Sequence, residues 1–148
     1  MDASAAGGAA KRSEIYTYEA PWCIYGLAAS QRAGSEYRFA LGSYVEEYSN
    51  KVQIIQLNEE RNELVLRGSF DHPYPATKVM WAPEPLARER DLLATSGDYL
   101  RLWHATPSSK RPGDYDVKQE AVLNNVRTQR PQARRCAAAE AAREARQV

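Results

Sequence analysis

Cysteine and histidine are scarce in this chain of 148 residues, and it has almost no excess of charge of either sign. Cys23 and Cys136 are the only cysteines, far apart and outside any CxxC or Cys/His cluster, so the sequence suggests neither a disulfide scaffold nor a zinc site. Two free thiols in a reducing compartment are expected instead. No run approaches the roughly 18 apolar residues of a membrane span, and the small residues from Met1 to Ala10 lack the apolar centre of a secretory leader. An intracellular, soluble protein is expected. Twenty Lys/Arg stand against 19 Asp/Glu. The near balance hides an asymmetry: residues 1 to 103 hold 11 basic and 14 acidic residues, and residues 104 to 148 hold 9 and 5. The basic tail interleaves both signs and has no aromatic residue after Tyr115 to stack on bases, which argues against direct nucleic-acid binding.

What is present is a series of short β-type runs. Residues 1 to 13 are rich in Ala, Gly and Ser and cannot bury enough surface to offset the entropy of ordering, so they are expected to be disordered. Four strand-sized runs follow, at Trp22 to Ala29, Tyr37 to Ser43, Lys51 to Leu57 and Glu63 to Phe70. The cluster from Glu46 to Asn50 reads as a turn before the third run, and Asn58 to Asn62 as a tight connection after it. Three more runs lie at Thr77 to Trp81, Asp91 to Ser96 and Tyr99 to Trp103. Pro73, Pro75, Pro83 and Pro85 fall between the runs, as residues that cannot donate to a sheet ladder should. Seven short strands point to an all-β fold, either a seven-strand sandwich or repeated propeller blades.

The order of residues 71 to 104 separates these two. Asp71-His72 precedes the fifth run, Met80-Trp81 ends it, Asp98 occupies the turn after the sixth, and Leu100-Arg101-Leu102-Trp103 forms the seventh. This order resembles a WD repeat, with Asp71-His72 where Gly-His is usual and Trp103-His104 where Trp-Asp is usual. The strings KRSEIYTYEAPW (residues 11 to 22), LGSYVEEYSNKV (41 to 52), FDHPYPATK (70 to 78) and DLLATSGDYLRLW (91 to 103) are more specific. Together they are similar to the WD-repeat family that includes the plant light-regulated WD proteins, the transparent testa glabra protein and the animal adaptor also called the anthocyanin-eleven homologue.

The resemblance covers about residues 11 to 104 and implies part of a WD40 β-propeller, about two blades of an incomplete ring. Residues 14 to 70 would form the first blade and 71 to 104 an incomplete second one. It also implies a network that pins strands together, made by His72, Trp103, Asp98 and one of Thr95 or Ser96. In that network a carboxylate would fix the imidazole tautomer and a buried partner would receive the indole N–H. The implied activity is that of a non-catalytic scaffold needing no cofactor, found in nucleus and cytoplasm. Its partners would be proteins: bHLH and MYB transcription factors in pigment and epidermal fate, or circadian clock regulators. Animal members are linked to kinases and cullin ubiquitin ligases.

Ser96, His72 and Asp98 are also the side-chain types of a hydrolase triad, but no G-x-S-x-G elbow surrounds Ser96, so an enzyme is not expected. Glu46, Glu47 and Tyr48 are read as candidate partner contacts, against the plainer alternative of a solvated turn. Residues 105 to 148 are assigned to a basic Ala/Arg-rich tail outside the family pattern, with helix propensity from Ala133 to Arg146. On this view the seventh strand presents an open edge, and the chain derives from a frameshift, intron read-through or alternative transcript. A small independent all-β domain or a non-functional truncated product stands as the alternative.

Overall fold

The structure, a computed structural model, describes residues 14 to 83 and 90 to 124. Eight strands form along them: β1 Cys23–Ala29, β2 Arg38–Tyr44, β3 Asn50–Asn58, β4 Glu63–His72, β5 Lys78–Trp81, β6 Leu92–Ser96, β7 Leu100–Pro107 and β8 Tyr115–Leu123. They make two antiparallel four-stranded sheets, ordered β1-β2-β3-β4 and β5-β6-β7-β8. The fold is therefore all-β, a partial WD40 propeller of two blades. The expected disordered lead-in, and the expected helical or disordered tail beyond Asn124, lie outside the described residues.

Sequence periodicity placed seven strands, and the eighth is a correction. Tyr115–Leu123 pairs along β7 from Pro107↔Tyr115 to Leu100↔Leu123, so the edge expected to be open on the seventh strand is covered. Its signal is weak because none of its residues is fully buried and only Tyr115, Val117 and Ala121 are half-buried. Charged Asp116, Lys118 and Glu120 break the apolar pattern, while Tyr115 and Val117 pack at the margin of the core. Part of the segment assigned to a tail thus belongs to the second sheet.

The two sheets pack through one face each, built by two-residue alternation. Val52 and Ile54 of β3, Ala40 of β2 and Phe70 of β4 point into the same core as Val79 and Trp81 of β5, Leu93 of β6, and Trp103 and Ala105 of β7. Phe70 and Trp103 meet with ring centroids 4.3 Å apart across the sheet boundary. At one end β1 lies against β5 and at the other β4 lies against β8, so the blades stack side by side. Close approach at the β1–β5 end depends on Gly26 and Gly42, which are register partners. A Cβ on Gly26 would stand 3.0 Å from the Ala76 carbonyl and 3.1 Å from a Val79 methyl.

One polar clasp sits in this apolar boundary. Arg38, with no exposed surface, donates from Nη1 to Asp91 Oδ2 at 2.6 Å and from Nη2 to Asp91 Oδ1 at 2.9 Å. Nη2 also donates to Ser30 Oγ at 2.8 Å. The guanidinium lies 4.2 Å from the Trp81 ring centroid and 4.9 Å from that of Tyr115. A planar cation between aromatic faces, with a bidentate carboxylate, is the arrangement in which arginine tolerates burial. It joins β2 of the first blade to the residue before β6 of the second.

Candidate interaction surface and the network beneath it

Thr95 in β6 receives the indole N–H of Trp103 in β7 at 2.8 Å. Its Oγ1 is also 3.0 Å from Nε2 of His72, at the end of β4. On the other side of the ring, His72 Nδ1 is 2.5 Å from the carbonyl of Tyr74. A carbonyl only accepts, so Nδ1 carries the proton and Nε2 presents its lone pair. Thr95 therefore accepts from Trp103 and donates to His72, which fixes the direction of every bond. Burial pushes the His72 pKa below its ordinary 6.5, consistent with a neutral ring. The Tyr74 carbonyl and the nearby Asp98 charge work against that shift, and the Arg101 charge adds to it.

The tautomer is thus set by a backbone carbonyl. Asp98, which the repeat resemblance placed against the imidazole, instead takes Arg101 in a two-bonded ion pair, with Nη2 to Oδ2 at 2.9 Å and the second bond from Nη1 to Oδ1. That hydrogen-bonded partner holds the Asp98 carboxyl down to about 2. Arg101 is only 8% exposed, so the pair closes the β6–β7 turn from beneath. Of Thr95 and Ser96, Thr95 joins the network; Ser96 lies on the opposite face of β6, its hydroxyl 3.2 Å from that of Thr77. Ser96, His72 and Asp98 each turn to a different partner and do not converge as a relay. His104 stands on the same face of β7 as Leu102, away from His72.

Above the network lies an exposed surface. Glu46, Glu47 and Tyr48 form the β2–β3 turn, and Asn50 holds it from below. Asn50 Nδ2 donates to the carbonyls of Val45 and Glu47 at 3.0 and 2.8 Å, while its Oδ1 accepts from Val45 N–H at 2.8 Å and Ser43 Oγ at 2.9 Å. The turn is wet on one side and fixed on the other. Tyr48, 79% exposed, meets Tyr74 edge-on with centroids 5.1 Å apart. Tyr25 and Tyr44 form a second pair, also 5.1 Å apart. Tyr25 faces Tyr44 because β1 slips register between Ile24 and Gly26, leaving Tyr25 without a partner in the ladder, and such bulges re-aim side chains.

The turn that carries Asp98 fits closely against the segment leaving β4. A Cβ on Gly97 would stand 2.9 Å from the Pro75 carbonyl oxygen and 3.6 Å from Tyr74 Cβ. Only glycine admits that approach, so Tyr74 is held by its own carbonyl on His72 and by Gly97 beside it. Sequence reasoning named the turn residues and the network but missed Tyr25, Tyr44, Tyr74, Arg101 and the Arg38–Asp91 pair. Arg38 within the apolar run RFALGSY was the available signal, since a charge in such a strand needs a buried partner.

No family model matches the chain. Among curated proteins it is 45% identical over 116 residues to the DDB1- and CUL4-associated factor 7 homolog of Dictyostelium discoideum, covering 78% of this chain and 34% of that protein. It is 31% identical over 100 residues to a WD repeat-containing protein of Saccharomyces cerevisiae, covering 67% of this chain and 18% of the relative. A third similarity, 33% over 97 residues, is to an uncharacterized WD repeat-containing protein of Schizosaccharomyces pombe, covering 61% of this chain and 22% of that one. The chain spans about a third or less of the length of each of these relatives. Proteins built from such repeats are in general non-catalytic scaffolds. With its two stacked four-stranded sheets and its relatives of this kind, the chain belongs among the WD-repeat proteins.

Proposed function

We propose that the chain is a protein-interaction scaffold without catalytic activity, and that partners meet it at the turn Glu46, Glu47 and Tyr48. The observation that carries this is the contrast within that turn: side chains open to solvent on a backbone clamped by Asn50. A fixed backbone with exposed aromatic and charged groups loses little entropy when a partner docks. Neither the hydrogen-bonded His72 nor the separated Ser96 and Asp98 provides an activated nucleophile.

The printed name of the Dictyostelium relative associates that protein with DDB1 and CUL4. On that likeness, a DDB1–CUL4 assembly is the first partner to try. bHLH and MYB transcription factors and clock regulators, with their roles in transcription of pigment and epidermal genes or in circadian timing, rest on the sequence resemblance alone and come second. We place the protein in nucleus and cytoplasm, in contact with other proteins and with neither nucleic acid nor membrane. The boundary expected at residues 70 and 71 would fall inside β4, which pairs with β3 as far as His72, so the first blade is proposed to run through His72 and the second from β5 through β8.

Affinity capture with each partner class tests the scaffold assignment. Specific capture that is lost on changing Glu46, Glu47 and Tyr48 together, with unchanged thermal midpoint, is the expected result. Indifference to the triple change would refute the assigned surface. A second reading, a small independent all-β domain without partners, is favoured by the completeness of both four-stranded sheets around one core. A folded monomer that captures none of these partners would support it.

A further inference from the structure

Four of the surface tyrosines, Tyr25, Tyr44, Tyr48 and Tyr74, and the acidic turn form one continuous platform. Two clefts, of about 240 and 290 Å³, adjoin and share Tyr44, Tyr74 and Pro75 as walls. Both fall below the roughly 300–1,000 Å³ of small-molecule and cofactor sites, and each suits a side chain better than a whole ligand. Every charged side chain lining them is acidic: Glu46 and Glu47 in one, Asp98 in the other. Asp98 is already neutralised by Arg101, so the carboxylates left to attract a ligand are Glu46 and Glu47, neither in an ion pair among the described residues. The platform crosses the blade boundary. Tyr25, Tyr44 and the turn belong to the first sheet, and Tyr74 lies on the segment between sheets.

We propose that this platform binds an extended, arginine-bearing segment of a partner protein, with one guanidinium stacked on the Tyr48–Tyr74 pair beside Glu46 and Glu47. The proposal rests on the interaction function above and names the chemistry of its partner. Charge complementarity selects a basic segment, and the tyrosine faces select arginine over lysine, because guanidinium stacks on aromatic rings while keeping its donors for carboxylates. Two adjoining clefts on a rigid floor suit alternate side chains of an extended chain. The molecule carries a version of the contact internally: Arg38 lies between the Trp81 and Tyr115 rings and is held by the Asp91 carboxylate.

The test titrates the full chain, with isotope-labelled tyrosine rings, against three synthetic Gly/Ser/Pro peptides that differ only in carrying arginine, lysine or glutamate. The arginine peptide is expected to move the Tyr48 and Tyr74 ring signals and to bind at least about tenfold more tightly than the glutamate peptide. It should also bind several-fold more tightly than the lysine peptide. The pair Glu46→Gln and Glu47→Gln should weaken it by about tenfold at an unchanged thermal midpoint. An arginine peptide that binds no better than the glutamate one, or shifts confined to other tyrosines, overturns the proposal. Equal binding of arginine and lysine overturns the stacking. If partner capture depends on Tyr48 while the peptides show no arginine preference, the arginine chemistry falls and the interaction function stands. If neither peptide nor partner binds, both fall.

Discussion

Arg38 and Asp91 make two parallel hydrogen bonds across the boundary between blades, with the arginine wholly out of water. Removing one member strands the other charge in the core, which costs about 3–5 kcal/mol for buried pairs. Arg38→Met is therefore expected to destabilise the chain by about that amount in urea denaturation. Adding Asp91→Leu to it should recover most of the loss, because two apolar residues leave nothing unpaired. A double variant as unstable as the single one would show that Arg38 acts through its stacking on Trp81 and Tyr115.

The Trp103–Thr95–His72 series sets up a comparison between a lost bond and stranded partners. Trp103→Phe keeps a ring against Phe70 and removes the indole N–H, which should cost about 1 kcal/mol for the hydrogen bond, with a further loss for the smaller ring. Thr95→Val removes the hydroxyl in the middle and leaves both the indole N–H and the imidazole Nε2 without a partner. It is expected to cost more, about 2–4 kcal/mol, since each buried orphan costs about 1–3 kcal/mol. Thermal and urea unfolding of both variants gives the ranking directly.

Stability should fall as the pH drops below about 6.5. In the folded chain the His72 pKa lies below that value, so between the two values the unfolded chain binds a proton that the folded chain does not. The stabilisation is complete above 6.5 and is lost as pH falls toward the folded value. A His72→Gln variant should be less stable at neutral pH and should lack this dependence. Asp98 adds a separate loss at lower pH, between its ordinary 3.8 and its folded value of about 2, which Asp98→Asn should abolish. Urea midpoints measured across this range resolve the two steps.

Gly97→Ala is expected to destabilise by about 1–3 kcal/mol, the usual cost of overpacking. The added methyl meets the Pro75 carbonyl, a backbone atom that cannot rotate aside. It should also disturb the Tyr74 ring, whose signal is the readout. An unchanged Tyr74 environment would mean that the turn and the platform are not coupled.

Seven of the eight strands were legible because they combine β-branched or aromatic residues with turns and with prolines placed between them. β4 and β7 run further than expected, to His72 and Pro107. The alternation runs on through buried His72 and Ala105, but on polar or small residues that carry little β signal. β8 was missed because Asp116, Lys118 and Glu120 interrupt its half-buried residues. The His72, Thr95 and Trp103 contacts followed from the repeat resemblance, but the role of Asp98 did not. An acidic residue in a turn can serve a histidine or an arginine equally well by residue type, and only geometry decides between them. The tyrosine platform was invisible because its members come from positions 25 to 74, and one of them is aimed outward by a register slip.

If this WD-repeat chain meets proteins through the fixed turn above its network, changing that turn should remove binding while leaving the fold intact. The most direct measurement is the affinity of a DDB1–CUL4 assembly, or of a transcription or clock regulator captured in its place, for the chain and for its Glu46→Gln, Glu47→Gln, Tyr48→Ala variant. The expected result is a loss of at least about tenfold with no change in thermal midpoint. Equal affinity for both chains would contradict the account.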